Sequence, residues 1–266
     1  MQKTILVTGA TDGIGLETAK ILIKEGHNVL LHGRNPAKLD AVVDNLSALA
    51  TTGSIDSYVA DLSEIKQVAA LATAIEAQHK AIDVLINNAG VFRMDNPITA
   101  TGLDARFVVN TLAPYLLTRR LLPLMNTGSR IVNLSSAAQA PVNLDALRGT
   151  VKLDPMDAYA QSKLAITSWS HYLAAELGDS PVVVAVNPAS LLGSKMVKEG
   201  FGVDGGDLRI GADILVRAAL SDEFANASSR YFDNDNRRFA SPHPDAFNPQ
   251  KSAELVNVME AVLATQ

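Results

Sequence analysis

LVTGATDGIG, residues 6–15, joins an apolar strand to the first helical pattern of the chain. Its glycines, Gly9, Gly13 and Gly15, lie where the strand turns into the helix. Glycine lets the backbone turn sharply and come close to a pyrophosphate, which the free N–H groups and the dipole of a helix N-terminus then hold. The stretch therefore predicts a nucleotide-binding loop in a first β-turn-α unit. A glycine-rich turn without a ligand is the alternative, and the Gly-x3-Gly-x-Gly spacing differs from the common Gly-x-Gly-x-x-Gly.

Strand-like and helix-like segments alternate along the rest of the chain. Apolar strands are expected at residues 5–7, 29–31, 57–60, 84–86, 131–134 and 182–186, with a short strand at 230–232 before a polar loop. Helices are expected at about 14–24, from about 36, at 65–78, 103–122 and 250–263, and around 157–163. Strands this apolar are covered on both faces, as in parallel sheets. We expect a single α/β domain, residues 1–266, with a Rossmann-type doubly wound parallel sheet and helices on both faces.

Composition excludes several classes of protein. Apolar residues make up 47% of the 266 residues and the net charge is −5, without any run of Lys or Arg, which argues against nucleic-acid and membrane partners. There are no cysteines, and the five histidines are scattered without zinc-ligand spacing, so we expect no metal site. No apolar run is long enough for a signal peptide or a membrane span, and we expect a cytoplasmic protein.

Five motifs follow one another in a recognisable order. The glycine loop of residues 8–15 is followed by Asp61-Leu62, Asn87-Asn88-Ala89-Gly90, Ser135-Ser136 and Tyr159-x-x-x-Lys163. In this order and spacing the chain resembles the short-chain dehydrogenase/reductase family, and the stretch before and including AYAQSKLA resembles its retinol-dehydrogenase-like branch. The resemblance implies an oxidoreductase that interconverts a ketone or aldehyde with an alcohol, using NAD(P). Family members are commonly homodimers or homotetramers, and we expect the same here.

The resemblance implies that Asn110, Ser136, Tyr159 and Lys163 are the catalytic residues. Tyr159 and Lys163 lie four apart on one helix face. A free phenol has a pKa of about 10, and a nearby ammonium together with the positive nicotinamide would lower it. Tyr159 would act as general acid/base, Ser136 would hold the substrate oxygen, and Lys163 would also bind the nicotinamide ribose. Asn110 would support a water-linked proton relay. Taken singly, each residue could instead be an ordinary strand-end, helix or packing residue.

The family resemblance also implies the coenzyme contacts. They are Gly9, Thr11, Asp12, Gly13, Ile14 and Gly15 in the loop, Arg34 and Lys38 after the second strand, Asp61 and Leu62, Asn88, Ala89 and Gly90, the catalytic Tyr159 and Lys163, and Pro188 and Ser194 after the sixth strand. Asp61 would bind the adenine amino group, although capping a helix from Ser63 would suit it equally well. Ala189 stands where relatives usually have glycine.

The end of the second strand indicates which coenzyme is used. A carboxylate there would bind the 2′-hydroxyl of NAD, but this chain has Gly33 and then Arg34, with Lys38 one helical turn on. Because guanidinium and ammonium groups suit a phosphate dianion, we expect NADP(H), with NAD(H) as the alternative. Asp12 weakens this expectation, since NADP-using relatives often carry a basic residue nearby.

Two segments are expected to border the substrate. Ser136 and Tyr159 are 23 positions apart, a longer connection than in many relatives, and residues 137–157 would form a flap. Residues of about 190–206 would form a mobile lid. An apolar pocket is expected, lined by Phe92, Met94, Val142, Leu191, Leu192, Met196 and Phe201, although several of these could be core residues. Two other functions stay open: a catalytically silent NAD(P)-binding regulator, and a sugar-nucleotide epimerase or dehydratase.

Overall fold

The computed structural model describes residues 1–266 except the side chain of Phe201, so the expected role of Phe201 in a pocket lies outside the described residues. The strands are β1 (Thr4–Val7), β2 (Asn28–Gly33), β3 (Ile55–Val59), β4 (Val84–Asn87), β5 (Arg130–Leu134), β6 (Val182–Asn187), β7 (Arg230–Asp233) and β8 (Arg238–Ala240). Across the described residues they form an eight-stranded sheet in the order β3-β2-β1-β4-β5-β6-β7-β8. Neighbours from β3 to β7 pair in parallel, and β8 pairs antiparallel with β7.

Helices follow most of the strands. They are α1 (Gly13–Lys24), α2 (Pro36–Ser47), α3 (Ile65–Gln78), α4 (Ala105–Phe107), α5 (Ala113–Leu121), α6 (Leu144–Leu147), α7 (Pro155–Leu177), α8 (Lys195–Phe201), α9 (Leu208–Leu220) and α10 (Pro249–Leu263). A π-helical turn, Val108–Leu112, joins α4 to α5. Short 3-10 turns lie at Leu122–Leu124, Asp222–Phe224 and Pro244–Phe247. No helix in the described part of the chain has the length and hydropathy needed to cross a membrane.

The sheet is buried on both faces, as its apolar strands predict. On β1, Ile5 and Val7 pack in one cluster with residues of α1 and α9, such as Leu22 and Ile214. Leu6 lies in a different cluster on the other face, with residues of α3 and α5. Alternate strand residues point to opposite faces, so helices must cover both sides. The expected α/β fold, a doubly wound parallel sheet, is confirmed.

Among the elements that differ from the sequence expectation are β8, α9 and the π-helical turn. The polar loop expected after residue 232 contains β8, because Phe239 packs its ring about 5.1 Å from the rings of Phe224 and Phe232. A three-residue strand is too short to show a periodic pattern. Helix α9 was not expected, although Asp207 at its N-cap and its apolar spacing would have indicated it. The helix expected at 103–122 is interrupted by the π-helical turn around Asn110.

Candidate active site

The glycine loop packs tightly against the loop that follows β4. Thr8 Oγ1 accepts hydrogen bonds from the N–H groups of Asn88 and Ala89, at 3.0 and 3.1 Å. Asn88 Nδ2 donates to the carbonyls of Thr8 and Gly9, at 2.8 and 3.2 Å. A Cβ placed on Gly15 would lie 2.3 Å from Gly9 O. The carboxyl ends of β1 and β4 therefore form one rigid edge, and Gly15 keeps the first turn of α1 against it.

Asp12 and Lys38 bind each other at the N-terminus of α1. Asp12 Oδ1 accepts a hydrogen bond from Gly13 N at 2.8 Å, which caps the helix. Lys38 Nζ donates to Asp12 Oδ2 at 2.8 Å. This hydrogen bond holds the pKa of Asp12 below its ordinary value. Lys38, expected to meet a 2′-phosphate, is thus paired with an acid, whereas Arg34 is exposed beside it.

Gly33 explains why no carboxylate ends the second strand. A Cβ on Gly33 would lie 2.5 Å from Thr11 Cγ2 of the glycine loop. Real Cβ atoms do not approach this closely, so an Asp or Glu at this position would require the Thr11 side chain to move. The close packing of β2 against the loop therefore disfavours the carboxylate that an NAD-specific site would use.

His32 is a site residue that sequence reasoning missed. Its side chain is 3% exposed. Nδ1 accepts a hydrogen bond from Gly9 N at 3.2 Å, and Nε2 lies 3.0 Å from Ala60 O. Because Gly9 N can only donate and Ala60 O can only accept, the ring is neutral with its proton on Nε2. Burial lowers its pKa. His32 thus links the glycine loop to the end of β3. Its position near the carboxyl end of β2 was the sequence feature that could have indicated this role.

Asp61 and Leu62 have local contacts at the end of β3. Asp61 Oδ1 accepts hydrogen bonds from Ser63 N and Ser63 Oγ, at 2.9 and 2.7 Å. Helix α3 begins at Ile65 with Glu64 at its N-cap position, so Asp61 closes a turn before the helix and does not cap it. Leu62 is 6% exposed and belongs to the core cluster beneath α3.

Tyr159 and Lys163 share one face of α7, as their spacing predicts. Lys163 Nζ lies 5.7 Å from the centroid of the Tyr159 ring. It donates to Leu134 O, at the end of β5, at 2.8 Å. Lys163 is 4% exposed, and burial lowers its pKa to about 8. The ammonium is therefore fixed between the tyrosine and the sheet edge.

The structure separates the roles of Ser135 and Ser136. Ser135 Oγ shares a hydrogen bond with Thr167 Oγ1 at 2.6 Å and is buried. Ser136 Oγ accepts from Ala138 N at 3.1 Å and lies close enough to the Tyr159 hydroxyl to lower the pKa of that tyrosine. Of the two serines, Ser136 lies beside the tyrosine.

The protein alone raises the pKa of Tyr159, whereas the lowered pKa expected from the sequence includes the positive nicotinamide of the bound coenzyme. Burial raises this pKa, and the nearby Ser136 hydroxyl only partly opposes the effect. Desolvation disfavours the charged phenolate more than its neighbours stabilise it. Without further positive charge in the site, Tyr159 is a neutral phenol at pH 7.

Asn110 lies in the π-helical turn and faces the loop after β4. Its Oδ1 accepts from Val91 N at 2.8 Å, and its Nδ2 donates to Val91 O and Ser162 Oγ, both at 3.0 Å. A Cβ on Gly90 would lie 3.4 Å from Asn110 Oδ1 and 3.6 Å from Lys163 Nζ. Asn110, Gly90 and Lys163 therefore meet at one place, and π-helical turns are frequent at functional sites.

Pro188 and Ser194 flank the start of the expected lid. Pro188 O accepts a hydrogen bond from Asn234 Nδ2 at 3.0 Å. Ser194 caps α8 through its side chain, and its Cβ would lie 3.7 Å from a Cβ on Gly13. Ala189 has a φ of +110°, a conformation that favours glycine. The segment expected to form the lid thus contains a helix that begins next to the glycine loop.

Only part of the expected apolar pocket lies at the site. The rings of Phe92 and Tyr159 are 5.0 Å apart, and a Cβ on Gly90 would lie 3.7 Å from Met196 Cε. Leu191 is exposed. By contrast, Val142 packs with the α7 and α10 cluster, and Leu192 is buried against Gly211 and Ile14. Among the described residues, no three His, Asp or Glu side chains are grouped as a metal site.

Comparison with known proteins shows the family. A family model described as short chain dehydrogenase matches residues 3–201. The chain is 31% identical over 273 residues to human retinol dehydrogenase 13, covering 95% of this chain and 82% of that protein, which confirms the resemblance to retinol dehydrogenases.

Solved structures agree with this result. A Mycobacterium Paratuberculosis protein of unknown function has a TM-score of 0.81 at 25% identity, covering 99% of this chain and 94% of its own. A short chain dehydrogenase from Shigella flexneri, solved with NADP, has a TM-score of 0.69 at 26% identity, covering 88% and 97%. The chain therefore belongs to the short-chain dehydrogenase family and is an oxidoreductase.

Proposed function

We propose that this protein is an NADP-dependent oxidoreductase that interconverts a small-molecule ketone or aldehyde with the corresponding alcohol, with Tyr159 as general acid/base. The observation that carries the proposal is the group formed by Ser136, Tyr159 and Lys163, which lies at the carboxyl edge of the sheet. Ligands of open α/β sheets bind at this edge. The similarity to human retinol dehydrogenase 13 supports an alcohol or carbonyl substrate.

The residues present fit a dinucleotide coenzyme. The close packing around Gly9, Gly15 and Gly33 leaves the backbone of the glycine loop free of side chains that would block a pyrophosphate. The residues that would hold the coenzyme are those expected from the sequence, namely Gly9, Thr11, Asp12, Gly13, Ile14, Gly15, Arg34, Lys38, Asp61, Leu62, Asn88, Ala89, Gly90, Tyr159, Lys163, Pro188 and Ser194. Bound NADP(H) would supply the hydride donor or acceptor.

NADP(H) is the coenzyme that this chain favours. Gly33 leaves no carboxylate to oppose a 2′-phosphate, and Arg34 is exposed next to it. The similar Shigella flexneri dehydrogenase was solved with NADP. The ion pair between Asp12 and Lys38 reduces the positive charge available to the phosphate, so Arg34 is the main candidate for binding it.

The chain's own residues would move and hold the proton. In carbonyl reduction Tyr159 donates its hydroxyl proton to the substrate oxygen, and in alcohol oxidation it takes one back. Ser136 Oγ holds that oxygen and stabilises its developing charge. Because the pKa of Tyr159 is raised, its hydroxyl is protonated at pH 7, which suits reduction. Lys163, with a pKa of about 8, is mainly charged at pH 7 and favours the phenolate that reduction leaves.

The surrounding segments and the assembly are also proposals. We propose a flap at about 137–157 from the motif spacing, a lid at about 190–206 from its apolar and flexible residues, and a single domain over residues 1–266. We further propose a homodimer or homotetramer, on the family resemblance, and a cytoplasmic location, on the sequence pattern. Helix α10 packs across α7 through residues such as Leu255 and Met259, so α10 would belong to any interface on that side. Size-exclusion chromatography with light scattering measures the oligomeric state.

A panel of ketones, aldehydes and alcohols tests the proposed function. Turnover is followed through the absorbance of NADPH and, separately, of NADH. We expect reduction of at least one carbonyl class, with a higher kcat/KM for NADPH, and a larger loss of NADPH than of NADH affinity in Arg34→Ala. Coenzyme binding without turnover across the panel would favour a regulatory protein. Tightly retained NAD after purification would favour an epimerase or dehydratase.

A further inference from the structure

Ser136 is held by its main-chain carbonyl as well as by its side chain. In the part of the chain that the structure describes, two side chains donate to Ser136 O: the Tyr231 hydroxyl at 3.1 Å and Gln139 Nε2 at 2.8 Å. Ser136 follows the end of β5, where the chain leaves the sheet. These two donors therefore hold the main chain at the serine that lies beside the Tyr159 hydroxyl.

Tyr231 reaches Ser136 from a strand that is not adjacent to β5. It lies on β7, which pairs with β6, and β6 in turn pairs with β5. The Tyr231 side chain is 5% exposed. Burial, the largest effect, and the carboxylates of Asp233 and Asp235 raise its pKa, so its hydroxyl stays protonated and can donate. The sheet thus delivers one fixed donor to the loop after β5.

Gln139 is oriented by contacts on both ends of its amide. Its Oε1 accepts from His243 N at 3.1 Å, and its Nε2 donates to Ser136 O. Because His243 N can only donate, the amide orientation is determined. The C-terminal segment therefore contacts Ser136 twice, directly through Tyr231 and indirectly through His243 and Gln139.

We propose that Tyr231, together with Gln139, is a positioning residue that fixes Ser136 so that its hydroxyl faces Tyr159. The inference rests on the proposed function, since it concerns the same catalytic group. Tyr231 lies outside residues 3–201, which the family model matches. The C-terminal strand thereby contributes to the geometry of a site whose reacting groups lie on α7 and in the loop after β5.

Tyr231→Phe removes only the hydroxyl. Losing one neutral hydrogen bond predicts a fall in kcat of about three- to tenfold, with NADPH affinity, measured by coenzyme fluorescence, unchanged within about twofold. Tyr115→Phe is the matched control, because Tyr115 is 3% exposed and its hydroxyl donates to Glu260 at 2.7 Å in a cluster away from the site. We expect the control to keep kcat. Gln139→Ala provides a second variant if Tyr231→Phe does not fold.

A double-mutant cycle distinguishes positioning from a general structural role. In a Ser136→Ala background, Tyr231→Phe should have no further effect on kcat, because its effect acts through Ser136. The pH dependence of kcat gives an independent readout. Displacing the Ser136 hydroxyl from Tyr159 should move the tyrosine titration to higher pH in Tyr231→Phe and not in Tyr115→Phe.

The outcomes separate this inference from the proposed function. A wild-type protein without turnover on the panel would overturn the proposed function. The positioning role alone would be overturned by a different result, in which the wild type turns over but Tyr231→Phe lowers kcat equally in the wild-type and Ser136→Ala backgrounds. In that case the pH profile of kcat would also be the same in Tyr231→Phe as in the wild type.

Discussion

Ala189 offers a direct test of strain at the start of the lid. Its φ of +110° lies in a region that is essentially limited to glycine. The neighbouring residues hold the backbone there: Pro188 O accepts from Asn234 Nδ2, and Ser190 N and Oγ donate to Asp235 at 2.8 and 2.7 Å. We predict that Ala189→Gly stabilises the protein.

The expected size follows from two opposing contributions. Holding alanine in this conformation costs about 1–3 kcal/mol, and glycine would remove that cost. Glycine also loses more backbone entropy on folding, about 0.5–1 kcal/mol. The net gain in the free energy of unfolding is therefore about 1 kcal/mol. For a domain of this size, such a gain raises Tm by about 2–4 °C.

Thermal unfolding with a matched variant measures this effect. Ala50→Gly is the control, since Ala50 is exposed and lies outside the positions with positive φ. There glycine should lower the free energy of unfolding by about 0.4–1 kcal/mol. Opposite signs for the two variants are the prediction. If Ala189→Gly lowers Tm as much as Ala50→Gly does, Ala189 is not strained and the argument is wrong.

Three further predictions concern the coenzyme edge. Gly15→Ala should weaken NADPH binding at least about tenfold and lower the stability of the protein. The new Cβ would lie 2.3 Å from Gly9 O and 2.4 Å from Asn88 Nδ2. Unchanged NADPH binding in a fluorescence titration would contradict this prediction. Asp12→Asn keeps a cap acceptor for Gly13 but releases Lys38 from its ion pair. Because exposed ion pairs contribute about 0.2–1 kcal/mol, NADPH affinity should rise up to about fivefold, whereas NADH affinity should not rise. Equal changes for both coenzymes would refute the argument that Asp12 holds Lys38 away from the phosphate. Burial lowers the pKa of His32 below its ordinary 6.5, so the unfolded state binds more protons and the free energy of unfolding falls as pH drops below about 6.5. Urea unfolding at pH 7 and pH 5 should show a smaller change in the free energy of unfolding for His32→Gln than for the wild type. The change that remains is due in part to His27, whose pKa burial also lowers. An identical change in the two proteins would exclude His32 as the source.

The fold was predictable because its signals are local. Most of the buried strands contain a short apolar run, and the glycine loop marks the first β-turn-α unit. Helix α3 has the bounds expected from its pattern. β8 was missed because its stability comes from Phe239 packing on Phe224 and Phe232, contacts made between segments that no local pattern connects.

The site was predictable only as far as its motifs reach. The structure brings Ser136, Tyr159 and Lys163 together and places Gly90 and Asn110 beside them. Contacts between distant segments were not predictable, such as the pairing of Lys38 with Asp12. The hydrogen bonds of His32 with Gly9 and Ala60, and of Tyr231 with Ser136, were not predictable for the same reason. The extent to which burial raises the pKa of Tyr159 in the protein alone was not predictable either, because burial depends on how the whole site packs.

The most direct test of the account is hydride transfer in Tyr159→Phe, followed in a single turnover of NADPH with a carbonyl substrate from the panel. We expect the rate to fall at least about 100-fold, with NADPH affinity within about twofold of the wild type. Tyr172→Phe, a partly buried tyrosine on the same helix, is the control and should keep the wild-type rate. A Tyr159→Phe protein that transfers hydride at the wild-type rate would show that this hydroxyl does not move the proton.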